Sequence, residues 1–351
     1  MPLAKATVNV IVNGYGVIGK RVADAVAKQP DMRLIGISDI VGDYRVKMAA
    51  AKGYDVYASL PEKAEDMRRS GLEVAGTLPD LLARGAVDVV VDATPDKVGA
   101  ENKKVYEKYG VRAIFQGGEK PEVAEVSFVA QRNYSEALGK RYVRVVSCNT
   151  TAICRVVGGI HAKLGVRKAR VSIFRRAVDV WESSHTGIMN TVVPELKVPS
   201  HHGPDAQSVV HDLDIVTMAA KGSHNLFHLH MGMLELKGRA TKEEVLQVLR
   251  EEPRVVTVSG QDGVKGLNSI FEIARDLGRS RGDLYEIPVW EDALTVSADG
   301  REVYLMWATP NESDVVPENV DAIRAMMEIE ERADRSIALT DERLGVVKRL
   351  Y

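Results

Sequence analysis

The chain has 351 residues, of which 47 are Lys or Arg and 49 are Asp or Glu, giving a formal net charge of -2. This balance excludes a dominant basic surface of the kind that binds nucleic acids or anionic membranes. The length predicts two domains. The two cysteines, Cys148 and Cys154, form neither a CxxC pair nor a zinc motif, and we find no signal-peptide pattern. We therefore expect a cytoplasmic protein without a disulfide framework.

Short apolar runs alternate with helical patterns in the first part of the chain. Continuous apolar strands separated by helices are typical of a parallel sheet that is covered on both faces. The sequence therefore predicts an α/β fold that begins with a doubly wound parallel Rossmann domain. The predicted strands are 8–12, 34–37, 88–92 and 111–115, and the predicted helices are 17–28, 44–52 and 99–109.

The pattern changes after a further predicted strand at 143–146 and a predicted helix at 150–164. Apolar and polar residues then alternate in several segments with long connections between them. Such alternation indicates an α+β domain with a mainly antiparallel sheet that has one face covered by helices. The alternating segments are 169–176, 226–236, 255–258 and 303–307, and a last helix is predicted at 317–332.

A glycine fingerprint follows the first predicted strand and opens the first predicted helix. Gly14 permits the tight turn, Gly16 lets the backbone approach a pyrophosphate, and Gly19 lets helix and strand pack closely. The free N–H groups and positive dipole end at the start of the helix favour phosphate binding. The G-x-G-x-x-G pattern in this context predicts a dinucleotide site.

The second predicted strand ends at Asp39. A carboxylate in this position accepts hydrogen bonds from the adenosine ribose hydroxyls and repels a 2′-phosphate. The sequence therefore favours NAD over NADP, although a surface aspartate in a turn is the alternative interpretation.

Cys148 lies between a predicted strand and a predicted helix, a position that suits a nucleophile. The N–H groups and dipole of a helix N-terminus stabilise a thiolate, lower the pKa of the thiol and can hold an oxyanion. Asn149 or Thr150 is suited to capping this helix. The alternative is a buried cysteine that acts as a small hydrophobic residue, which is how we interpret Cys154.

The histidines offer partners for such a thiol. His228 and His230 lie two apart on a predicted strand and therefore face the same side, where a general base beside Cys148 is a better use than zinc binding. We predict no metal site. Arg175 and Arg176 end a predicted strand and suit phosphate ligands. The polar loop at 200–205 either holds a phosphorylated substrate or is a turn with exposed histidines.

Several of these segments resemble archaeal-type glyceraldehyde-3-phosphate dehydrogenases, in the same order and over nearly the whole chain. The most specific are Ser-Cys-Asn-Thr-Thr at 147–151 and Ser-His-His-Gly-Pro-Asp at 200–205. The others are Asn-Gly-Tyr-Gly-Val-Ile-Gly at 13–19, Gln-Gly-Gly-Glu-Lys at 116–120 and Asp-Val-Val-Pro-Glu-Asn at 314–319.

The resemblance implies a cytoplasmic homotetramer of glycolysis or gluconeogenesis that oxidises glyceraldehyde 3-phosphate with NAD(P) and inorganic phosphate, through a thioester on Cys148. It implies a dinucleotide-binding domain formed by 1–147 with 310–351, and a catalytic domain at 148–309. It also implies His228 as the base, although His230 is close enough to confuse the assignment. The substrate contacts it implies are Ser147, Asn149, Thr150, His202 and Gly203, and the cofactor contacts are Val17, Ile18, Gly118, Arg176 and Asn311.

The chain also departs from the family pattern near its ligand-facing segments. Family members usually carry lysine at the position of Asp39, a glutamine at Asn311 and a smaller residue at Trp307. Other departures fall at 223–225, at 266–268, and at Trp181 and His185. They leave two alternatives open, which are a paralogue for another aldehyde, such as erythrose 4-phosphate or a semialdehyde, and a non-catalytic dinucleotide-binding regulator.

Overall fold

A computed structural model describes residues 7–116, 118–177 and 191–351. Trp181, His185 and Gly117 lie outside these residues. The chain divides into two compact units. The first comprises Met1–Ser147 with Val316–Gly345, and the second comprises Cys148–Val315 with Val346–Tyr351.

The first unit is built on a parallel sheet whose described strands run in the order β4-β3-β2-β1-β5-β6-β8-β7. The valines of its central strands are fully buried, because helices cover both faces of such a sheet. Where β1 lies between β2 and β5, the strand order reverses, and the carboxyl ends of the strands there border the ligand crevice of doubly wound folds. The strands are β1 (Val8–Asn13), β2 (Met32–Asp39), β3 (Val56–Ala58), β4 (Gly76–Thr77), β5 (Val89–Asp92), β6 (Arg112–Gln116), β7 (Val126–Phe128) and β8 (Tyr142–Val145).

Helices connect these strands, as the sequence predicts for a Rossmann domain. The predicted strands and helices of this region are all present, and the structure adds β3, β4 and two short helices in the segment between β2 and β5. That segment lacks long periodic patterns, because its elements span only a turn or two. The helices are α1 (Gly19–Ala27), α2 (Tyr44–Ala51), α3 (Ala64–Arg69), α4 (Leu78–Ala83), α5 (Val98–Tyr109) and α6 (Ala130–Asn133).

The second unit contains a mixed sheet in the order β10-β11-β9-β12-β16-β14-β13, with β15 paired to β16. Most neighbouring strands described here are antiparallel, and the exceptions are β11 with β9 and β13 with β14. The predicted α+β architecture is confirmed. The strands are β9 (Val166–Arg175), β10 (Val193–Pro194), β11 (Ile215–Lys221), β12 (His228–Leu236), β13 (Val255–Val258), β14 (Ile287–Trp290), β15 (Thr295–Val296) and β16 (Glu302–Thr309).

The helices of the second unit include α7, whose residues 149–160 are all buried. Among the described residues, no helix combines the length and the apolar character that crossing a membrane requires. The helices are α7 (Cys148–Leu164), α8 (His202–Gln207), α9 (Lys242–Glu251) and α10 (Leu267–Asp276).

The C-terminal region forms two helices, α11 (Val316–Met326) and α12 (Ala333–Leu344), where the sequence predicts one at 317–332. The predicted helix is present as α11 but ends at Met326 and not at 332, because Glu328 adopts a left-handed conformation with φ of 53°. The sequence analysis did not predict α12, which lies beyond the predicted range. Both helices belong to the first unit. Arg324 holds them there, since its buried guanidinium donates to Asp31 Oδ2 at 2.6 Å and to Thr340 Oγ1 at 2.5 Å.

The observed units differ from the predicted domains at two short segments. Residues 310–315 and 346–351 belong to the second unit and not to the first. The reason is their hydrogen bonding: Ser313 Oγ donates to Leu284 O at 2.7 Å, and the backbone N–H of Val347 donates to Glu286 Oε1 at 2.7 Å. Of the C-terminal region, only the part between these two segments, Val316–Gly345, belongs to the first unit.

Candidate active site

The glycine loop of the first unit has the geometry that a dinucleotide cradle requires. Gly14 has a φ of 91°, and a side chain on Gly19 would lie 1.8 Å from Gly14 O, so both positions need glycine. A Cβ on Gly16, in contrast, would meet nothing within 4 Å. Gly16 therefore faces open space, and a phosphate can approach its backbone. Val17 and Ile18 lead into α1, which begins at Gly19.

Asp39 ends β2, as predicted, and its carboxylate is held by backbone N–H groups. Oδ2 accepts from Tyr15 N at 2.8 Å, and Oδ1 accepts from Ile40 N at 2.7 Å. These bonds fix the carboxylate beside the glycine loop and leave it partly exposed. The negative charge therefore stands where the ribose of a dinucleotide lies in this fold.

A buried polar network that the sequence analysis missed supports the same edge of the sheet. Asn13 Nδ2 donates to the hydroxyl of Tyr106 at 2.9 Å, and this hydroxyl donates to Asp92 Oδ2 at 2.6 Å. Ser38 Oγ donates to Asn13 Oδ1 at 3.0 Å. Because these groups end β1, β2 and β5, they fix the three strand ends that border the crevice. The position of Asn13 directly before the glycine fingerprint is the one sequence feature that could have indicated this network.

Gly118 follows β6 at the same edge of the first unit. A Cβ there would lie 3.1 Å from the Cβ of Asp96, so the loops after β5 and β6 approach each other closely. A side chain at 118 would therefore be crowded, which favours glycine at this position. The role of Gly118 as a cofactor contact stays a prediction.

In the second unit, three strand ends meet at one edge of the sheet. The carboxyl end of β9 lies beside the amino end of β12, which lies beside the carboxyl end of β16. This arrangement brings together Arg176, His228 and Asn311, which are far apart in sequence. The backbone N–H of Arg176 donates to His228 Nδ1 at 3.0 Å. The amide oxygen of Asn311 accepts from Arg176 Nε and Nη2 at 2.5 and 3.0 Å.

Cys148 is the first residue of α7, at the chain junction where Ser147 ends the first unit. Asn149 and Thr150 lie inside the first turn and are buried, so the prediction that one of them precedes the helix as its cap is wrong. Cys154 lies on the same helix and is fully buried, with its Sγ 4.0 Å from Ala206 O. The two thiols therefore occupy different environments, as the sequence analysis expects.

The pKa of Cys148 shifts in the direction opposite to the prediction. Burial, assisted by the carboxylate of Asp314, raises the pKa of the thiol to about 12. Arg176, Arg175 and the backbone N–H of Asn149 act in the lowering direction but do not prevail. The expectation of a lowered pKa is therefore wrong for the protein without ligands, where the sulfur is a neutral thiol. Asp314 is remote in sequence from Cys148, so the sequence gives no indication that its carboxylate raises the pKa of this thiol.

His228 and His230 are both buried, and their hydrogen bonds favour the same tautomer but leave different atoms available. Because His228 Nδ1 accepts from the Arg176 N–H, the proton of the neutral ring is on Nε2. His230 Nε2 lies 2.8 Å from Asn149 Oδ1, which only accepts, so the proton of His230 is also on Nε2 but is already donated. His228 therefore keeps a donor for a ligand, whereas His230 orients the side chain of Asn149.

Both rings are neutral in the folded protein. Burial, together with the charges of Arg176 and neighbouring groups, holds the pKa of His228 well below its ordinary value. Burial alone lowers the pKa of His230 to about 3. Desolvation dominates in each case because an imidazolium ion in this interior would lack both water and a counter-ion.

Trp307 packs behind this histidine pair. It is fully buried on β16, pairs with His230 of β12, and meets its ring edge to face with centroids 5.1 Å apart. Gly232 makes room for the indole, since a Cβ there would lie 2.8 Å from Trp307 Cζ3. The large residue that departs from the family pattern therefore fills a space that a glycine provides, on the side of the strand that carries His230.

The 200–205 loop carries the predicted phosphate contacts and is tied to β11. Thr217 Oγ1 accepts from the backbone N–H of Gly203 at 3.0 Å and donates to Ser200 O at 3.0 Å. His202 is only 1% exposed, and neither of its ring nitrogens has a hydrogen-bond partner among the described residues. Burial and the neighbouring His201 and Arg175 lower the pKa of His202 to about 2. The interpretation of this loop as a turn with exposed histidines holds for His201 alone.

Comparisons with known proteins match both parts of the chain. A family model described as "Glyceraldehyde 3-phosphate dehydrogenase, C-terminal domain" matches residues 147–293. A model described as "Dihydrodipicolinate reductase, N-terminus" matches residues 8–127, within the first unit.

Relatives with the name glyceraldehyde-3-phosphate dehydrogenase are similar over nearly the full length. The relative from Methanothermus fervidus is 45% identical over 97% of this chain and 99% of its own. That from Methanococcoides burtonii is 49% identical over the same shares, and that from Archaeoglobus fulgidus is 47% identical over 97% and 98%. The chain therefore belongs to the glyceraldehyde-3-phosphate dehydrogenase family of oxidoreductases, which confirms the resemblance carried by its sequence motifs.

Proposed function

We propose that this protein oxidises glyceraldehyde 3-phosphate to an acyl phosphate, with NAD as the hydride acceptor and inorganic phosphate as the second substrate. The observation that carries the proposal is the surroundings of Cys148 at the start of α7. Its thiol lies within the electrostatic influence of Arg175 and Arg176, and Asn149, the next residue, is oriented by His230. A cysteine that served only the core would not need these polar groups.

The first step in this proposal is attack of the Cys148 sulfur on the aldehyde carbon. The S–C bond forms, the carbonyl π bond breaks, and the thiol proton ends on the oxygen, which yields a hemithioacetal. Because the free thiol is neutral, its deprotonation accompanies the attack. The Nε2–H of His228 and the free side-chain N–H groups of Asn149 are donors for the developing oxyanion. We therefore assign His228 as a hydrogen-bond donor, where the sequence analysis predicts a base.

The second step removes a hydride from the hemithioacetal carbon and the proton from its hydroxyl, which leaves a thioester on Cys148. The bound dinucleotide supplies the chemistry of hydride acceptance. We propose that the proton passes to water, because the N–H groups of the histidine pair serve as donors, that of His228 to the substrate oxygen and that of His230 to Asn149. A phosphate oxygen then attacks the thioester carbon, the C–S bond breaks, and the acyl phosphate leaves.

The first unit fits a dinucleotide, because the open space before Gly16 and the N-terminus of α1 together suit a pyrophosphate. In the proposal this cradle is formed by three glycines and the backbone between them, namely Gly14, Gly16, Gly19, Val17 and Ile18. Arg176 and Asn311 of the second unit, which bond each other, are proposed as further cofactor contacts. The homotetramer that the family resemblance implies also stays a prediction, which sedimentation of the purified protein checks.

A substrate panel tests the activity directly. We expect NADH formation with glyceraldehyde 3-phosphate to depend on inorganic phosphate, and kcat/KM to fall by at least about 100-fold for unphosphorylated glyceraldehyde, because the loop with His202 loses its ligand. Erythrose 4-phosphate and a semialdehyde are the comparison substrates. A higher kcat/KM for one of them would assign the protein to another aldehyde, and no turnover of any would favour the non-catalytic regulator.

A single substitution tests the cofactor preference. We expect Asp39→Asn to raise KM for NAD and lower KM for NADP, so that the ratio of the two kcat/KM values shifts toward NADP by about 10- to 100-fold. The reason is that the variant loses a ribose acceptor and the charge that repels a 2′-phosphate. Asp24→Asn, which changes the net charge equally but bonds Lys52 on the surface, is the matched control. An unchanged ratio in Asp39→Asn would contradict the proposed role.

A further inference from the structure

A cluster of three potential metal ligands lies beside the 200–205 loop. Glu195, His201 and His202 each offer one ligand atom, and these atoms all lie within 4.8 Å of one another. The imidazole rings of His201 and His202 have centroids 3.9 Å apart, and His201 Nδ1 lies 3.8 Å from Glu195 Oε1. Two imidazoles and a carboxylate form a donor set that suits zinc.

The backbone holds these residues together before any ligand binds. Glu195 N donates to Ala219 O at 2.9 Å, and Ser200 N donates to Thr217 O at 2.8 Å. Both ends of the intervening segment are thus fixed to neighbouring positions of β11, which brings Glu195 back to the start of α8. Since strand residues two apart face the same way, the segment closes a small loop on one side of the strand.

The polar atoms in the cluster are incompletely satisfied. Both ring nitrogens of His202 and the Oε2 atom of Glu195 are buried and have no hydrogen-bond partner among the described residues. Arg175 Nη1 is 3.7 Å from that Oε2, which is too long for a hydrogen bond. Buried polar groups without partners are costly and rare, so their grouping here indicates a ligand that completes them.

The geometry points to a binding site for a divalent transition metal of the zinc class, formed by Glu195, His201 and His202. Zinc binds such ligands at about 2.0–2.2 Å, so the ligand atoms must close from their present spread to roughly 3.4 Å in a tetrahedron. The required movement is available because the side chain of His201 is 55% exposed. Three protein ligands leave one coordination position for water. Arg175 is the opposing charge, and metal binding must displace it from Glu195.

The site has a consequence for the reaction, and this consequence rests on the proposed function. His202 is also the proposed contact for the substrate phosphate, so a metal on His202 removes that contact. We therefore infer that zinc competes with the phosphorylated aldehyde and raises its KM.

Direct metal binding is tested in a Cys148→Ser background, in which the thiol cannot bind the ion. Titration with Zn²⁺ by calorimetry is expected to show one strong equivalent, and Co²⁺ is expected to give the visible bands of tetrahedral coordination. Glu195→Gln and His201→Gln should each weaken binding by at least about tenfold. His211→Gln, which changes another exposed histidine of this unit, is the matched control. Equal affinity in all four proteins would overturn the site.

The kinetic consequence is tested in the chain that retains Cys148. Zn²⁺ should raise KM for glyceraldehyde 3-phosphate with little effect on kcat, and His201→Gln should bring the ratio of KM with and without Zn²⁺ close to one. If the metal binds through Glu195 and His201 but leaves KM unchanged, the competition is refuted while the metal site stands. If the protein turns over no aldehyde, the proposed function fails and the calorimetric result still decides the metal site.

Discussion

Replacing Cys148 by serine is expected to lower kcat with glyceraldehyde 3-phosphate by at least about 10⁴-fold, with little change in dinucleotide affinity. A serine hydroxyl in the same position is a far weaker nucleophile, and its ester would be a poorer acyl donor to phosphate than a thioester. The measurement is NADH formation at saturating substrates, together with mass spectrometry of the enzyme quenched without phosphate. The acyl adduct should appear on Cys148 in the parent protein and be absent from the variant.

Cys154→Ala is the matched control for this prediction, since it removes the other thiol of the same helix, which is fully buried with its Sγ beside Ala206 O. Its kcat should stay within about twofold of the parent. Activity that survives Cys148→Ser and is lost in Cys154→Ala would reverse our assignment of the two cysteines.

The raised pKa of Cys148 predicts that the reactivity of its thiol depends on pH. Because this pKa is about 12, the thiolate fraction of the free protein should rise about tenfold for each pH unit between 7 and 10. Iodoacetamide labelling of Cys148, measured by mass spectrometry without substrates, should follow this slope. A plateau already reached near neutral pH would show that the helix N-terminus and the arginines outweigh burial after all.

Replacing His228 by glutamine is expected to lower kcat by about 10²- to 10³-fold. The substitution removes the Nε2–H donor that we assign to the developing oxyanion and leaves the Arg176 N–H without its ring acceptor. Kinetics at saturating substrates measure the loss, and circular dichroism checks that the buried strand β12 remains folded. A variant that lost its fold would lose activity whatever the role of His228. The pH profile of the parent protein is therefore the second measurement.

The pH profile distinguishes a donor from a base. Since the pKa of His228 is held well below its ordinary value, its ring stays neutral near pH 6.5, and kcat/KM should show no falling limb there from this group. A base with an ordinary pKa would be protonated in that range and produce such a limb. His230→Gln is the comparison, because it should act through Asn149 and lower kcat by about tenfold without changing the profile.

The local features of the site could be predicted from the sequence because they depend on neighbours in the chain. The turn at Gly14, the close packing at Gly19 and the position of Cys148 at the start of a helix all follow from residue type and short spacing. Element type was likewise predictable where the apolar period was long, as in β12 and α7. It was not predictable between β2 and β5, where each element is too short to show a period.

Sequence alone thus determined that a dinucleotide fingerprint, a strand-to-helix cysteine and a pair of strand histidines coexist in one chain with two kinds of sheet. Tertiary structure decided the state of these groups. Asp314 and burial set the pKa of Cys148, the Arg176 N–H selects the tautomer of His228, and β11 brings Glu195 to His202. These outcomes depend on desolvation and on hydrogen bonds between residues remote in sequence, and spacing along the chain carries no information about either.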